Sequence, residues 1–331
     1  MTDSLKGDNM TDFLKGDNMT DSLKGSNVID AIVIGGGTAG LTAAIYLQRN
    51  AIQCTILESE AYGGRIFPTQ TIDNYPAMLG VSGYEYSEKL REQTETLGAI
   101  LTSQTALTLT RFGDLWQVET HDGILTARVV IYAAGEKQRL LGVPGETEFQ
   151  GRGVSFCAAC DGAFFRDKTV AVVGGGDKAL DDALILSRLC TSVHLIHRRY
   201  EFRAAGGSVA KMKETPNITQ HLNRVVTSVN GANFVESVSI KDVADKTVET
   251  IAVSGVFLAV GSIPQTALCA EFVQLDAQGY IIAGEDCKTS ASGLFVAGDV
   301  RRKPMRQLVT AAADGALAAK SATDYIMQMK V

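Results

Sequence analysis

Residues 28–50 read VIDAIVIGGGTAGLTAAIYLQRN, and the pattern of this stretch indicates the class of fold. A short apolar run leads into Gly35, Gly37 and Gly40, and a helical pattern follows. In this order of strand, turn and helix, a G-x-G-x-x-G motif lets backbone N–H groups approach a pyrophosphate at the helix N-terminus. The stretch therefore predicts a Rossmann-like dinucleotide-binding unit.

A second unit of the same kind is KTVAVVGGGDKALDDALILSRLC, residues 168–190, with Gly174, Gly176 and Ala179 in a G-x-G-x-x-A turn. Near the end of the chain, one more apolar strand runs through a loop into a long helix. Together these patterns predict an α/β fold with two Rossmann-like dinucleotide-binding domains.

The two units differ at the position that meets the adenosine ribose. Counting 23 residues from the first glycine reaches Glu58 in one unit and His197 in the other, where Arg198, Arg199 and Arg203 follow. An acid here accepts a ribose 2′-hydroxyl, whereas guanidinium groups pair with a 2′-phosphate. The first site should hold an unphosphorylated ribose. The second should prefer a phosphorylated one, unless the arginines only form a solvated turn partly paired with Glu201.

The late strand in TSASGLFVAGDV identifies the first dinucleotide as a flavin. It ends at Gly298 and Asp299 and leads to Arg306 and Gln307, residue types that suit a ribityl chain and the N1 side of a flavin ring. A plain dehydrogenase does not need this second half of a site. A flavin and an NADPH-like nucleotide in one chain imply electron transfer from nicotinamide to flavin.

Composition excludes several classes of protein. The net charge of −6 gives no basic surface for nucleic acid, and no apolar run approaches the ~20 residues that cross a bilayer. The chain lacks a secretory signal pattern, and its six cysteines are too scattered for a disulfide scaffold, so we expect a cytoplasmic protein. Residues 1–27 are three copies of a nine-residue unit and are expected to form a flexible tail.

Cys157 and Cys160 form a C-x-x-C in VSFCAACDGAFF. A zinc site with His194 and His197 fits no common finger spacing, and a two-residue loop gives a static disulfide little entropic stabilisation. These arguments favour a redox-active pair and no metal. Asp161, directly behind the second cysteine, would serve as the acid or base for the thiols.

These segments resemble the low-molecular-weight thioredoxin reductases, which are class II pyridine nucleotide-disulfide oxidoreductases. The similar stretches are LLGVPGETEFQGRGVSFCAACDGAFFRDKTVAVVGGG, VHLIHRRYEFRA, LAVGSIPQT and GLFVAGDVRRKPMRQ. The resemblance runs from Val28 to the C-terminus.

The resemblance implies a homodimer with a discontinuous FAD domain. Residues 28–139 and 267–331 would bind FAD, and residues 140–266 would form the inserted NAD(P)H-type domain with the C-x-x-C. The inserted domain would rotate about hinges near Leu140–Gly145 and Pro264–Thr266, presenting NADPH and the disulfide to the flavin in turn.

The resemblance also implies roles for individual residues. Cys160 would face the flavin, and Cys157 would attack the disulfide of thioredoxin or a similar protein. FAD would be bound by Gly35, Gly37, Gly40, Glu58, Gly63, Gly64, Arg65, Asn74, Gly298, Asp299, Arg306 and Gln307. NADPH or another nucleotide would be bound by Gly174, Gly176, Ala179, His197, Arg198, Arg199 and Arg203.

Two departures from the family pattern keep the electron donor open. Asp177 places a negative charge near the second pyrophosphate, and Lys178 could either contact the nucleotide or obstruct the nicotinamide. The alternatives are a related disulfide oxidoreductase that uses ferredoxin or a second flavin in the middle domain, and a ferredoxin–NADP reductase-like flavoprotein. The cysteine pair counts against the last of these.

Overall fold

The computed structural model of the protein describes residues 28–69 and 71–329. The expected repeat tail, residues 1–27, lies outside the described residues. The described chain is built around two separate sheets made largely of parallel strands, as the sequence predicts. No helix within these ranges is long and apolar enough to cross a membrane.

The first sheet has seven strands in the order β3-β2-β1-β6-β5-β4, with β17 beside β6. Its strands are β1 (Ile29–Ile34), β2 (Cys54–Leu57), β3 (Ile100–Thr102), β4 (Thr108–Phe112), β5 (Leu115–Thr120), β6 (Gly123–Tyr132) and β17 (Leu294–Val296). Strand β5 pairs antiparallel with both β4 and β6, and the other pairs of neighbouring strands are parallel. Because β17 pairs with the end of β6, the C-terminal part of the chain returns to the first sheet.

Helices α1 (Thr38–Arg49), α2 (Gly83–Thr96) and α6 (Leu308–Met329) accompany this sheet. Helices α1 and α6 approach so closely that a Cβ at Gly315 would overlap the Ala39 carbonyl oxygen. Only glycine allows this contact, which brings the last helix beside the first glycine turn.

The second sheet has five parallel strands in the order β11-β10-β9-β15-β8. They are β8 (Val154–Ser155), β9 (Thr169–Val173), β10 (Ser192–His197), β11 (Ile218–Leu222) and β15 (Gly255–Leu258). The accompanying helices are α3 (Ala158–Asp161), α4 (Asp177–Leu186) and α5 (Gly206–Lys213). An antiparallel sheet of β12 (Arg224–Gly231), β13 (Val235–Asp242) and β14 (Val248–Ala252) packs on it through an aliphatic core.

Two short strands lie where the chain crosses between the sheets. Strand β7 (Glu136–Gln138) is on the way out and β16 (Ser262–Pro264) is on the way back, and they pair antiparallel. Both crossings are therefore held side by side. They lie next to the predicted hinges, and the domain limits themselves remain predictions.

Candidate functional site

The first glycine turn is closed by backbone contacts that exclude side chains. A Cβ at Gly35, where φ is +105°, would overlap the Ala133 carbonyl oxygen, and one at Gly40 would overlap the Gly35 carbonyl oxygen. Gly37 begins α1 without a side-chain hydrogen bond to its first turn. The free N–H groups of this helix end are therefore available to an anionic phosphate.

Glu58 follows β2 and is bound to this turn. Its Oε2 accepts the Gly36 N–H at 2.6 Å, and its Oε1 accepts the Glu60 N–H at 2.7 Å. A carboxylate offers about four acceptor positions, so each oxygen retains one for a ribose hydroxyl. The predicted ribose ligand thus has its position set by the phosphate turn itself.

A cavity of about 2180 Å³ extends from this turn, past Gly63, Gly64 and Arg65, to both cysteines of the C-x-x-C. Gly63 has a φ of +100°, and a Cβ there would overlap the Ser87 hydroxyl. The Gly63 N–H donates to the Gly36 carbonyl oxygen at 2.9 Å. Except for Gly40, the predicted FAD residues of both chain segments line this same cavity.

A buried carboxylate that the sequence analysis missed joins two of the predicted FAD residues. Glu136 is 7% exposed, and its Oε1 lies 2.6 Å from Arg65 Nη1. Its Oε2 accepts the Tyr280 hydroxyl at 2.7 Å and lies 3.6 Å from Arg306 Nε. The Arg306 guanidinium also stacks 3.8 Å above the Tyr280 ring. The network brings strand β7 together with three segments that are distant from it in the sequence.

Asp299 presents an unsatisfied oxygen. Its Oδ1 is buried and accepts no hydrogen bond from the described residues, although Lys303 Nζ lies 3.4 Å away. Burial raises the pKa of Asp299, and Lys303 opposes that rise. Lys303 Nζ also lies 3.1 Å from Asp314, whose carboxylate accepts the Gly298 N–H and pairs with Arg301. An orphaned acceptor beside a dinucleotide cradle fits the hydroxyls of a ribityl chain.

Cys157 and Cys160 form a disulfide at the start of α3. Both cysteines line the cavity. Cys160 Sγ lies 3.9 Å from Oε1 of Gln307, and the same oxygen accepts the Asn74 side-chain N–H at 3.0 Å. Cys160 is therefore the sulfur in contact with residues predicted to bind FAD.

Asp161 lies behind the pair on the same cavity wall. Its Oδ2 accepts a hydrogen bond from the Ser155 hydroxyl at 2.5 Å. Burial raises the pKa of Asp161, and the Ser155 hydrogen bond opposes this rise. The group therefore keeps its proton to a higher pH than an exposed aspartate does.

His197 packs directly against the second glycine turn. This ring occupies the space that a Cβ at Gly175 would need, and it stacks on Phe202 with centroids 5.3 Å apart. Its Nε2–H donates to the Glu201 carbonyl oxygen at 3.0 Å. Gly176 directly precedes α4 and has no side chain to hydrogen-bond the first turn of that helix. Ala179 packs against Gly174. His197 is buried, so its assignment as a nucleotide ligand stays a prediction while its packing role is observed.

The basic segment beside this turn is open to solvent. Arg198, Arg199 and Arg203 are exposed, and within residues 28–69 and 71–329 no ion pair joins them to Glu201. The expected alternative of a turn partly paired with Glu201 is therefore not what the structure contains. All three cations remain available to an anionic group.

The side chains of Asp177 and Lys178 both have partners. The Asp177 carboxylate accepts the Ala205 N–H at 2.8 Å, and Lys178 Nζ lies 2.6 Å from the buried Asp182. Asp177 is therefore bound to the residue that precedes α5, and Lys178 is paired with an acid of its own helix.

In the part of the chain that the structure describes, no three His, Cys, Asp or Glu residues are grouped to hold a metal ion. The His194 ring contacts His221 at 2.9 Å. Cys54 and Cys190 are buried in apolar clusters, as their patterns predict. Cys269 and Cys287, which the sequence left unassigned, are buried as well.

The chain is similar to known proteins over most of its length. The family model described as pyridine nucleotide-disulphide oxidoreductase matches residues 29–315. A thioredoxin reductase of Treponema pallidum is 41% identical over 89% of this chain and 96% of its own. One from Mycolicibacterium smegmatis is 38% identical over 90% and 96%.

Solved structures are similar over the same extent. The crystal structure of thioredoxin reductase from Streptococcus pyogenes has 37% identity and a TM-score of 0.87, covering 91% of this chain and 99% of that one. Lactococcus lactis thioredoxin reductase in its FR conformation has 36% identity and the same coverage, with a TM-score of 0.64.

A disulfide that opens onto a dinucleotide cradle defines a flavin-dependent disulfide oxidoreductase. The chain belongs to the pyridine nucleotide-disulphide oxidoreductase family, in the branch of the low-molecular-weight thioredoxin reductases. FAD and NADPH are the cofactors of this family, and the Asp299 oxygen together with the first glycine turn fits FAD.

Proposed function

We propose that this protein reduces the disulfide of thioredoxin or a similar protein, with electrons from NADPH carried through FAD and the Cys157–Cys160 pair. The observation that carries the proposal is the contact of Cys160 with Gln307 inside the cavity that begins at the first glycine turn. That cavity brings a reducible disulfide to the place where the first dinucleotide fits.

When bound, FAD supplies two-electron chemistry: it accepts a hydride from the nicotinamide and passes an electron pair to the disulfide. Cys160 is positioned to be the sulfur that takes this pair, since it contacts Gln307. Reduction breaks the bond between the two sulfurs and needs two protons for two thiols. Cys157 then attacks the partner disulfide, and Cys160 resolves the mixed disulfide, so both electrons leave with the partner.

Asp161 is proposed to move protons between the cysteines and solvent. Its raised pKa lets it donate a proton to a departing thiolate, and the Ser155 hydroxyl stabilises the anion that remains. Both properties follow from its burial behind the pair.

The cycle requires two arrangements of the middle domain, because Cys160 cannot meet the FAD site and an outside protein at once. We propose that rotation takes place at β7 and β16, where the two crossings pair side by side. In support, the Streptococcus and Lactococcus reductases have nearly equal identity to this chain but TM-scores of 0.87 and 0.64. Such a difference at equal identity is typical of domains that are arranged differently.

NADPH is proposed as the donor over ferredoxin or a second flavin. The Asp177 carboxylate accepts the Ala205 N–H and Lys178 pairs with Asp182, so both side chains already have partners within the protein. Arg198 and its neighbours supply the cations that a 2′-phosphate needs. By the same resemblance we propose that the protein is a homodimer located in the cytoplasm. Sedimentation of the purified protein tests the homodimer.

The test is an anaerobic titration. NADPH should bleach the flavin absorbance of the oxidised protein at least as fast as the enzyme turns over on thioredoxin. The purified protein should contain one flavin per chain. Cys157→Ser and Cys160→Ser should each abolish turnover on thioredoxin while flavin reduction by NADPH persists, and Cys54→Ala should behave as the parent protein. A flavin that stays oxidised with NADPH but is reduced by a low-potential ferredoxin would overturn the donor assignment.

A further inference from the structure

The first residue of α4 is Asp177, and its carboxylate binds a backbone N–H outside the helix. Oδ1 of Asp177 accepts the backbone N–H of Ala205 at 2.8 Å, across 28 residues of sequence. Ala205 lies two positions beyond Arg203 and directly precedes α5. The contact therefore joins the glycine turn to the end of the basic segment.

Two other hydrogen bonds join the same segment to the same turn. The Arg203 N–H donates to the Gly175 carbonyl oxygen at 2.7 Å, and His197 Nε2 donates to Glu201. The segment is thus held at its middle by His197 and on both sides of the Arg203 side chain by Gly175 and Asp177. The Asp177 contact is the one that a side-chain substitution removes without touching the His197 packing.

We propose that Asp177 is a positioning residue for nucleotide specificity: by binding Ala205 it holds Arg203 beside the second glycine turn, where its guanidinium selects a 2′-phosphorylated adenosine. This inference rests on the proposed use of NADPH. A guanidinium pairs with phosphate through directed hydrogen bonds, so the selectivity depends on where the backbone of Arg203 is fixed.

The hydrogen bond and the charge of Asp177 act in opposite directions on a nucleotide. The carboxylate repels a pyrophosphate at the start of α4, while its acceptor orders the arginine segment. Asp177→Asn removes the charge and keeps an acceptor, and Asp177→Ala removes both. Comparing the two variants therefore isolates the hydrogen bond from the charge.

Ala205→Pro removes the same bond from its other end. The φ of Ala205 is −57°, close to the angle that a proline ring imposes, and proline has no N–H. If Asp177 acts through Ala205, Asp177→Ala and Ala205→Pro should have the same effect. The double variant should add little to either, since both remove one interaction.

The experiment is calorimetric titration of the oxidised, FAD-loaded protein with adenosine 2′,5′-bisphosphate and with AMP, neither of which transfers electrons. We expect the ratio of the two affinities to fall roughly fivefold to tenfold in Asp177→Ala and Ala205→Pro, as for the loss of one charge-assisted hydrogen bond. Asp177→Asn should retain the parent ratio. Asp181→Ala, which removes an exposed carboxylate from the same helix, should retain it as well.

The outcomes separate the inference from the function beneath it. If the parent protein does not prefer the 2′-phosphorylated ligand, the proposed NADPH donor fails. If it does and Asp177→Ala keeps the parent ratio, only the role of Asp177 is overturned. A loss in Asp177→Asn as large as that in Asp177→Ala also overturns it, since charge rather than the hydrogen bond would then be responsible.

Discussion

Cys160 Sγ lies 3.9 Å from Oε1 of Gln307, a residue 147 positions away in the sequence. The same amide oxygen accepts a hydrogen bond from Asn74 at 3.0 Å. One side chain of the C-terminal segment thus fixes the place where the disulfide of the second sheet meets the cavity of the first.

Replacing Gln307 should separate disulfide reduction from FAD binding. Gln307→Ala leaves Cys160 without its neighbour, and a displacement of about 1 Å costs on the order of 100-fold in rate. We expect disulfide reduction in anaerobic stopped-flow, expressed per bound flavin, to slow by roughly tenfold or more. Met305→Ala, an exposed change in the same loop, is the control. Equal rates in the two variants would remove Gln307 from the site.

Asp161→Asn should slow thiol–disulfide exchange by about 100-fold or more, the usual contribution of a positioned acid or base. Ser155→Ala removes the donor that lowers the pKa of Asp161, so the limb of the pH–rate profile that reports this group should move to higher pH. A profile that is unmoved in Ser155→Ala would show that another group titrates there.

Asp161→Asn should also change how the free energy of unfolding depends on pH. Because burial raises the pKa of Asp161, the folded protein binds more protons than the unfolded chain above the ordinary value of 3.8. Its unfolding free energy is therefore lowered as pH rises through the folded-state pKa. Asp161→Asn cannot ionise, so its stability relative to the parent should increase with pH in urea unfolding. A constant difference across that range would contradict the assignment.

Lys303→Met should weaken both the fold and FAD binding. The substitution removes the cation that Asp299 and Asp314 share, and the Lys303 side chain is only 4% exposed. Removing one partner of a buried pair costs roughly 3 kcal/mol. Without the cation the pKa of Asp299 rises further, so the loss should grow as pH rises above the ordinary aspartate value of 3.8. Urea unfolding and FAD titration of the apoprotein measure it. Arg302→Met, at an exposed neighbour, should change neither.

Glu58→Ala should loosen FAD by roughly tenfold to 100-fold. The variant loses the ribose acceptor, a charge-assisted contact worth about 1.5–3 kcal/mol, and with it the hydrogen bond by which Glu58 is held to the Gly36 N–H at 2.6 Å. Glu58→Gln keeps acceptors and should lose less. Flavin fluorescence on titrating the apoprotein gives the affinity, with Glu60→Ala as the control because only its backbone contacts Glu58. Equal losses in Glu58→Ala and Glu60→Ala would argue against the ribose assignment.

Local pattern carried much of the prediction. Each glycine turn lies between a strand and a helix as its spacing requires, Glu58 lies at the turn that it was predicted to serve, and Cys157 and Cys160 form a disulfide. These features are set by residues within about 25 positions of one another, where periodicity and turn chemistry suffice.

Contacts between distant segments were out of reach of the sequence. Glu136 meets Tyr280 across 144 residues, and nothing near Glu136 in the chain marks it as buried. Asp177 was predicted to place a negative charge near the second pyrophosphate. Its hydrogen bond to Ala205 could not be predicted, because it depends on how the start of α4 packs against the segment before α5.

By itself, the order of residues determined two nucleotide-binding units and a reducible sulfur pair, because short-range backbone geometry demands glycine and alternating apolar residues at set intervals. Tertiary structure alone decided which sulfur meets the first unit and which buried charges are compensated. Those outcomes depend on the relative placement of the two sheets, and a charge or a thiol acquires its chemistry from the neighbours that this placement gives it.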